Sequence, residues 1–362
     1  MLNKNWLFLF ALILLIPSVM ASEGGIHSFG PSVPYENMSM FWLSITAVSL
    51  LVAMIVFTVL LEHSIEIVAS KTGTSIGTAL LACASSLPLL VFSVIFALQG
   101  LTTTALVNIV GTNIANVTVV LGILALIKPL TIEENFKKGI TAVMITILIL
   151  VLMFVNVSFD GGASILPQNY GFELIFWEGI IIFVLFGLFI ALMQLFSKKE
   201  KNNSTKEHNL LFGVFGSIIF GLIVCWTAAQ AVSVLIHIAQ IYNLPEIIVG
   251  TVLVIIGTSF PEFAVGIVSI GMKKDKDVYG NLISSVMVNI CLGIGIIVLL
   301  TKTLVIDASL MAYQIPFMIL ALLLSVYLIQ PRFKHLNRKH AFILIGTYVL
   351  FLIGLQLHIS FF

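Results

Sequence analysis

Long apolar stretches follow one another along most of the chain, and short polar segments separate them. A helix needs about 20 mainly apolar residues to cross the hydrocarbon core of a bilayer. The pattern therefore predicts an all-α integral membrane protein with ten transmembrane helices. The predicted spans cover residues 38–61, 74–98, 103–127, 139–157, 173–196, 209–240, 245–271, 279–300, 308–329 and 341–360.

Composition agrees with a membrane protein. Hydrophobic residues make up 60% of the chain and charged residues 9%, and the mean hydropathy is +1.17. Soluble domains carry about 25% charged residues, so a soluble protein is excluded.

The N-terminal segment, from Met1 to Ala21, differs from the other apolar stretches. Lys4 precedes a short apolar core, and small residues stand at Val19 and Ala21. This order is typical of a signal peptide, here over 1–21. The alternative is an uncleaved extra helix, although the apolar run is shorter than a span. Cleavage after Ala21 leaves the mature N-terminus outside.

The positive charges lie almost entirely on one side of the membrane in the predicted topology. If the first span runs from outside to inside, Lys302 alone faces outside in the mature chain. The basic residues that then face the cytoplasm are Lys71, Lys128, Lys137, Lys138, Lys198, Lys199, Lys201, Lys206, Lys273, Lys274, Lys276, Arg332, Lys334, Arg338 and Lys339. This bias follows the positive-inside rule and predicts both chain ends outside.

Neither the net charge nor the loops indicate a nucleic-acid or protein partner. The formal charge of +1 is a sum over both sides of the membrane, so it indicates no nucleic-acid partner. Nothing in the sequence implies a protein partner; the lipid bilayer and inorganic cations are the expected ones. A signal peptide with short loops favours a bacterial inner membrane.

The two halves of the chain match in sequence when one is shifted along the other by a constant number of residues. This shift is the one that brings Gly77 onto Gly250. The matched positions are Gly77 with Gly250, Thr78 with Thr251, Leu80 with Leu253, Ser86 with Ser259, Pro88 with Pro261, Asn108 with Asn281, Asn116 with Asn289, and Gly122 with Gly295. The sequence thus predicts a five-helix repeat over 38–197, a cytoplasmic linker over 198–208 and a second repeat over 209–360. Because five is odd, the second repeat is inserted upside down relative to the first.

A proline stands inside one predicted helix of each repeat. Pro88 cannot donate a hydrogen bond to the carbonyl of Ala84, and Pro261 cannot donate to that of Gly257. Such freed carbonyls at membrane depth need protein, water or an ion as partner. We therefore expect Pro-broken helices at the midplane.

Polar side chains cluster around these prolines and in the following helix of each repeat. Their carboxylate, hydroxyl and amide oxygens are the ligands that hard cations prefer. They are Glu262, Thr258 and Ser259, with Ser85 and Ser86 in the other repeat, and the i,i+4 pairs Thr112 with Asn116 and Ser285 with Asn289. The predicted site is a dehydrated oxygen cage for Na⁺, Ca²⁺ or a proton, with no resident cofactor.

The alternative for the small polar residues is helix packing, in which Ser, Thr and Asn also serve in membranes. Glu262 is different, because an ionisable group near a helix centre costs about 2.5 to 3.5 kcal/mol even on the insertion scale. An enzyme is a rival class, but the sequence contains neither an HExxH metal helix nor a GxSxG nucleophile motif.

The stretch IVGTVLVIIGTSFPEFAVGIV, followed by YGNLISSVMVNICLGIG, resembles the second α-repeat of sodium/calcium exchangers. TALLACASSLPLLVFSVIFALQG, followed by LVNIVGTNIANVTVVLGI, resembles the first. The resemblance implies two inverted five-helix halves that exchange Ca²⁺ against Na⁺ or H⁺ by alternating access. It also implies that Glu262 is the main ligand. Thr258, Ser259, Ser85, Ser86, Thr112, Asn116, Ser285 and Asn289 then complete the cage.

The first repeat departs from the family pattern. Family members usually place an acidic residue in both repeats, whereas Leu89 takes one of those positions here and Asn289 supplies no charge. With Glu262 as the single carboxylate, Ca²⁺ leaves a net charge of +1 in a low-dielectric setting and one Na⁺ leaves none. Two alternatives therefore stay open: a monovalent-cation exchanger and a non-transporting protein on the same scaffold.

Overall fold

The structure is a computed structural model, which describes residues 38–72, 74–131, 172–196, 210–243, 255–271, 275, 277–306, 310–329 and 335–361. The signal peptide over 1–21, the span over 139–157 and the linker over 198–208 lie wholly outside these residues. The spans over 209–240, 245–271 and 308–329 begin outside them.

The described chain is predominantly helical. In the first half, the helices are α1 (Met40–Thr72), α2 (Thr74–Leu98), α3 (Thr102–Ala115), a π-helical segment (Asn116–Val120), α4 (Leu121–Ile127) and α5 (Phe176–Phe196). In the second half, they are α6 (Leu210–Ile241), α7 (Ile255–Gly271), α8 (Asp277–Val288), a π-helical segment (Asn289–Ile294), α9 (Gly295–Thr301), a π-helical segment (Leu310–Gln314), α10 (Ile315–Leu328) and α11 (Arg338–Phe361).

Five of the described helical stretches are long and apolar enough to cross a membrane. They are Met40–Ile65, Thr102–Ile127, Leu210–Ile241, Val278–Thr301 and Arg338–Leu355. Large apolar side chains are exposed on their outer surfaces, as expected of helices that face lipid. Two adjacent aromatic pairs, Phe41 with Trp42 and Phe176 with Trp177, are exposed in the first turns of α1 and α5. Such aromatics favour the membrane–water interface.

Two described helices do not begin or end at the predicted span limits. The first span was expected to end at residue 61, but α1 continues to Thr72 because neither proline nor glycine interrupts the chain before Gly73. Glu62, Glu66 and Lys71 therefore lie in a helix. The fifth span was expected to begin at residue 173, where the structure instead has a strand that ends at Ile175.

The two prolines do not break their helices, contrary to the prediction. Pro88 lies inside α2 and Pro261 inside α7, and both helices continue on either side. A proline removes one backbone hydrogen bond, and the bonds of the flanking turns keep each helix continuous. The helical irregularities in the buried interior are instead the π-helical segments that begin at Asn116 and Asn289.

Two short β-ladders add to the predicted all-α fold. Strand β1 (Leu130–Thr131) pairs antiparallel with β4 (His335–Leu336), and β2 (Phe172–Ile175) pairs antiparallel with β3 (Thr303–Ile306). Each ladder joins one half of the chain to the other. The predicted topology puts β1 and β4 inside and β2 and β3 outside, so each ladder joins segments assigned to the same side.

An ion pair lies beside the first ladder. Lys128 Nζ is 2.8 Å from Asp275 Oδ1, and the Thr131 hydroxyl donates to Asp275 Oδ2. The hydrogen bond from Lys128 lowers the pKa of Asp275 below its usual value. Both partners belong to segments that the positive-inside rule assigns to the cytoplasm, so the contact agrees with that assignment.

Matched glycines allow close helix contacts in the two halves. A Cβ at Gly122 would lie 2.8 Å from Ile345 Cγ1 of α11, and a Cβ at Gly295 would lie 2.9 Å from Phe183 Cδ2 of α5. The repeat offset relates these two glycines to each other. In each half, therefore, the glycine lets its helix approach the last described helix of the other half.

Candidate functional site

The predicted ligands lie on four helices that meet in the buried interior. Helices α2 and α3, with the π-helical segment after α3, carry those of the first half. Helices α7 and α8, with the π-helical segment after α8, carry those of the second. Hydrogen bonds between side chains connect the two halves at three points.

Glu262 ends a chain of hydroxyl groups. Its side chain is only 4% exposed, and Ser285 Oγ donates to Glu262 Oε1 over 3.1 Å. Ser86 Oγ lies 3.0 Å from Ser285 Oγ. Because the Ser285 proton is directed to Glu262, the Ser86 hydroxyl donates to Ser285. The chain therefore runs from α2 through α8 to the carboxylate on α7.

A second pair of hydroxyls links α3 to α7. Thr112 Oγ1 and Thr258 Oγ1 are 2.7 Å apart and buried. Asn108 Oδ1 lies 3.3 Å from Thr258 Oγ1 and 3.5 Å from Thr112 Oγ1, so it accepts from this pair. Asn108 Nδ2 donates to Ser93 Oγ of α2 over 2.9 Å.

The third connection joins two carboxamides. Asn289 Nδ2 donates to Asn113 Oδ1 over 2.8 Å, and both residues are fully buried. Asn116, three residues after Asn113 on the same helix face, is also fully buried. Neither polar atom of the Asn116 side chain makes a hydrogen bond of good geometry, although the side chain is close enough to Glu262 to interact with its carboxylate.

Four buried side-chain oxygens near these connections have no hydrogen-bond partner. They are Glu262 Oε2, Ser259 Oγ, Asn116 Oδ1 and Asn289 Oδ1. Unpaired buried polar atoms are rare in folded proteins and require an explanation. One carboxylate oxygen with hydroxyl and amide oxygens is a donor set that suits Na⁺ or Ca²⁺, so these residues fit a transported cation.

The electrostatics of the site depend on one carboxylate. In the part of the chain that the structure describes, no three His, Cys, Asp or Glu side chains are grouped closely enough to hold a metal ion. Leu89, which matches Glu262 at the repeat offset, is fully buried in the apolar core. The site therefore offers a cation a single negative charge among neutral oxygens.

Hydrogen bonds bring some of the predicted ligands together. Ser86 and Ser285 join Glu262 in one group, and Thr112 joins Thr258 in another. The sequence predicted that these side chains form one cage. Their hydrogen bonds form two groups, and the cage stays a prediction.

The remaining predicted ligands are placed differently. Asn289 bonds to Asn113, a residue outside the prediction. Ser259 and Asn116 are buried, and their side-chain oxygens have no hydrogen-bond partner. Ser85 lies in α2, and its side chain is outside the described structure.

Three residues of this polar interior were missed by sequence reasoning. Asn108 precedes Thr112 by four residues and Asn113 precedes Asn116 by three, so helical spacing alone offered a signal for both. Ser93 gave no signal, because an isolated serine in an apolar helix is common. The repeat also misled, since Asn281 matches Asn108 but is exposed on α8.

A close approach between α7 and α4 holds the site together. Thr258, Glu262 and Gly266 stand at i, i+4 and i+8, on one face of α7. A Cβ at Gly266 would overlap the side chain of Leu124, which is fully buried on α4. Glycine at this position therefore lets α7 approach the helix that follows Thr112.

We expect Gly266→Ala to destabilise the protein by about 1–3 kcal/mol, the usual cost of overpacking a core. Thermal unfolding of the purified protein measures it. The same substitution in a Leu124→Ala background should cost much less, because the overlapping atoms are gone. Equal costs in the two backgrounds would show that Leu124 does not set this spacing.

Comparison with known proteins matches this arrangement to a family. The model of the sodium/calcium exchanger protein family matches residues 38–195 and again residues 212–356. This chain belongs to the sodium/calcium exchanger family. The two matches correspond to the two halves of the chain, and they confirm the resemblance found in the motifs around Glu262 and Asn116.

Individual relatives agree with this family assignment. The sodium/calcium exchanger MaX1 of Methanosarcina acetivorans is 28% identical over 324 residues, which cover 81% of this chain and 92% of the relative. The inner membrane protein YrbG of Escherichia coli is 25% identical over 235 residues, covering 62% of this chain and 69% of the relative. A solved structure of the sodium-calcium exchanger NCX_Mj shares the fold, with a TM-score of 0.62 and 19% identity over 86% of this chain and 98% of that one.

This chain is therefore an integral membrane protein of an ion antiporter family. Its relatives and structural neighbours are transporters and not enzymes, so the enzyme alternative is dropped.

Proposed function

We propose that this exchanger is a secondary active cation antiporter that moves Ca²⁺ against Na⁺ or H⁺ by alternating access, with the cargo bound at Glu262. One observation carries the proposal. Glu262 is buried between the two halves, and its Oε2 has no hydrogen-bond partner. A carboxylate is costly inside a membrane, and a bound cation or proton offsets that cost.

The other ligands follow from the same reasoning. Ser259, Asn116 and Asn289 each have a buried oxygen without a partner, so they join Glu262 around the cation. Ser86 and Ser285 orient the carboxylate through their hydroxyl chain. Thr112, Thr258 and Ser85 belong to the neighbouring helix turns and complete the predicted cage.

Alternating access requires two parts that can move against each other. We propose ten spans arranged as two inverted five-helix repeats, over 38–197 and 209–360, joined by the linker over 198–208. The matched glycines, the matched π-helical segments and the two cross-half ladders support this arrangement. We further propose a bacterial inner membrane and a cleaved signal peptide over 1–21, with the mature N-terminus outside.

A second candidate function is exchange of monovalent cations. The observation that favours it is the single charge of the site, since Leu89 and Asn289 replace possible carboxylates by an apolar and a neutral side chain. One Na⁺ or H⁺ neutralises Glu262, whereas Ca²⁺ leaves an uncompensated charge in a low-dielectric interior. A non-transporting protein on this scaffold is the remaining alternative.

Transport in proteoliposomes separates these functions. With Na⁺ inside and radioactive Ca²⁺ outside, the proposed antiporter should take up Ca²⁺ only while the outward Na⁺ gradient lasts. Without Ca²⁺ uptake, a Na⁺ gradient that drives H⁺ movement would support the monovalent exchanger. If a folded sample shows neither Ca²⁺ uptake nor H⁺ movement, transport at this site is refuted.

A further inference from the structure

The carboxamides of Asn116 and Asn289 stand at matched positions of the two repeats, but their surroundings differ. Asn289 Nδ2 donates to Asn113 Oδ1 over 2.8 Å, and all three asparagines are fully buried. Neither end of the Asn116 carboxamide makes a hydrogen bond of good geometry. One of two equivalent side chains is therefore held by a partner from the other half, and the other is not.

The difference follows from one position of the repeat. The repeat offset relates Asn113 of α3 to Val286 of α8, which is also buried. Helix α3 contacts the π-helical segment that begins at Asn289, and α8 contacts the one that begins at Asn116. The same contact between a helix and a π-helical segment thus occurs in both directions. The valine side chain has no polar atom, so it cannot accept a hydrogen bond as Asn113 does.

The hydrogen bonding of the Asn113 side chain is confined to this one contact. Within the described residues, Asn289 is its one hydrogen-bond partner, and Asn113 Nδ2 is buried without any. A buried polar atom without a partner destabilises a fold. The valine at the matching position avoids that cost. The presence of Asn113 is therefore explained by what it does to Asn289.

The contact determines which end of the Asn289 carboxamide is available to a cation. The Nδ2 end donates to Asn113, and the Oδ1 end is buried without a partner. A cation is attracted by an amide oxygen and repelled by an amide N–H group. Asn289 lies one helical turn after Ser285, whose hydroxyl donates to Glu262. The available oxygen thus belongs to the turn next to the one that contacts the carboxylate.

We infer that Asn113 is a positioning residue, which fixes the Asn289 carboxamide so that its oxygen is available to the transported cation. The inference rests on the proposed function, in which Asn289 is a ligand. Asn113 acts through Asn289, so the two residues should contribute to cation affinity as one unit. Two independent contributions would be expected if Asn113 bound the cation itself or only supported the helix.

A double-mutant cycle of Asn113→Val and Asn289→Ala tests this coupling. Isothermal titration of the purified, folded protein with Na⁺, and separately with Ca²⁺, measures cation affinity. Asn113→Val introduces the residue of the other half and should lower the affinity about threefold to tenfold, the range of one net hydrogen bond. In the Asn289→Ala background, it should change the affinity by less than about twofold. Equal losses in both backgrounds would overturn the inference, and so would unchanged affinity in Asn113→Val alone.

Asn113→Asp is a second variant that keeps the shape of the side chain. An ionised aspartate can only accept a hydrogen bond, so Asn289 Nδ2 retains its acceptor and the orientation is preserved. At about pH 9, where a buried aspartate ionises more readily, Na⁺ affinity should be at least that of the unmodified protein. An affinity as low as that of Asn113→Val would contradict the inference without any use of the cycle.

Thr104→Val is the matched control for the loss of a buried polar side chain. Thr104 is buried on α3, as Asn113 is, and lies outside the predicted ligand set. Its replacement by valine should leave cation affinity unchanged within about twofold. A loss equal to that of Asn113→Val would show that any polar-to-valine change in α3 weakens binding, and the inference would fail.

Failure of the inference and failure of the proposed function give different results. If Glu262→Gln abolishes binding while the losses at Asn113 and Asn289 are additive, the proposed site stands and the positioning role of Asn113 is refuted. If neither Na⁺ nor Ca²⁺ binds in a way that depends on Glu262, the proposed function is refuted and the inference with it.

Discussion

Glu262→Gln should abolish cation-driven transport while the protein still inserts and folds. The carboxylate is the only charge among the proposed ligands, and an ion pair at about 4 Å is worth about 4 kcal/mol at an effective dielectric constant of 20. Cation affinity should therefore fall at least about a hundredfold. Flux in proteoliposomes and binding in detergent measure the two losses independently.

Glu178→Gln is the matched control for this loss. Glu178 lies in the first turn of α5 and outside the predicted ligand set, and its substitution removes one carboxylate just as the test variant does. It should keep both transport and binding near the unmodified level. Undiminished exchange by folded Glu262→Gln would remove Glu262 from the site and with it the proposed mechanism.

Leu89→Glu should raise the Ca²⁺ affinity about tenfold or more. Leu89 follows Ser86 by three residues, so both lie on the face of α2 that meets Ser285. A carboxylate there would supply the second charge that Ca²⁺ needs, and the bound ion would offset the cost of burying it. Without Ca²⁺, the variant should be less stable than the unmodified protein.

Leu89→Gln separates charge from polarity. It has the size of glutamate but no charge, so it should share the loss of stability without any gain in Ca²⁺ affinity. Unchanged or lower affinity in a folded Leu89→Glu protein would mean that position 89 does not face the cation. The leucine at position 89 would then not be the reason why the site has a single charge.

Much of the protein follows from local sequence patterns. The length of the apolar runs predicts the membrane class, and some described helices agree closely with the predicted spans, as α2 does over Thr74–Leu98. Helical spacing placed Thr258 and Glu262 on one face, and the constant repeat offset related Asn116 to Asn289. Each of these signals depends on residues within a few turns of one another or on a direct comparison of two segments.

Where local patterns conflict with packing, prediction failed. Pro88 and Pro261 were expected to break their helices, but the surrounding turns keep both helices continuous. The irregular π-helical segments begin instead at Asn116 and Asn289, which no residue type signals. The paired strands also escaped prediction, because strands of two or four residues carry no recognisable pattern.

By itself, the sequence determined that this is a membrane protein of an exchanger family with one carboxylate among its predicted ligands. Only the tertiary structure decided which polar groups meet. Ser86 bonds to Ser285 and Thr258 to Asn108, although each pair joins distant parts of the chain. Asn108 and Asn281 stand at equivalent positions, yet one is buried at the site and the other is exposed. The physical reason is that a side chain's partners depend on the helices packed around it, which no spacing along one helix can specify.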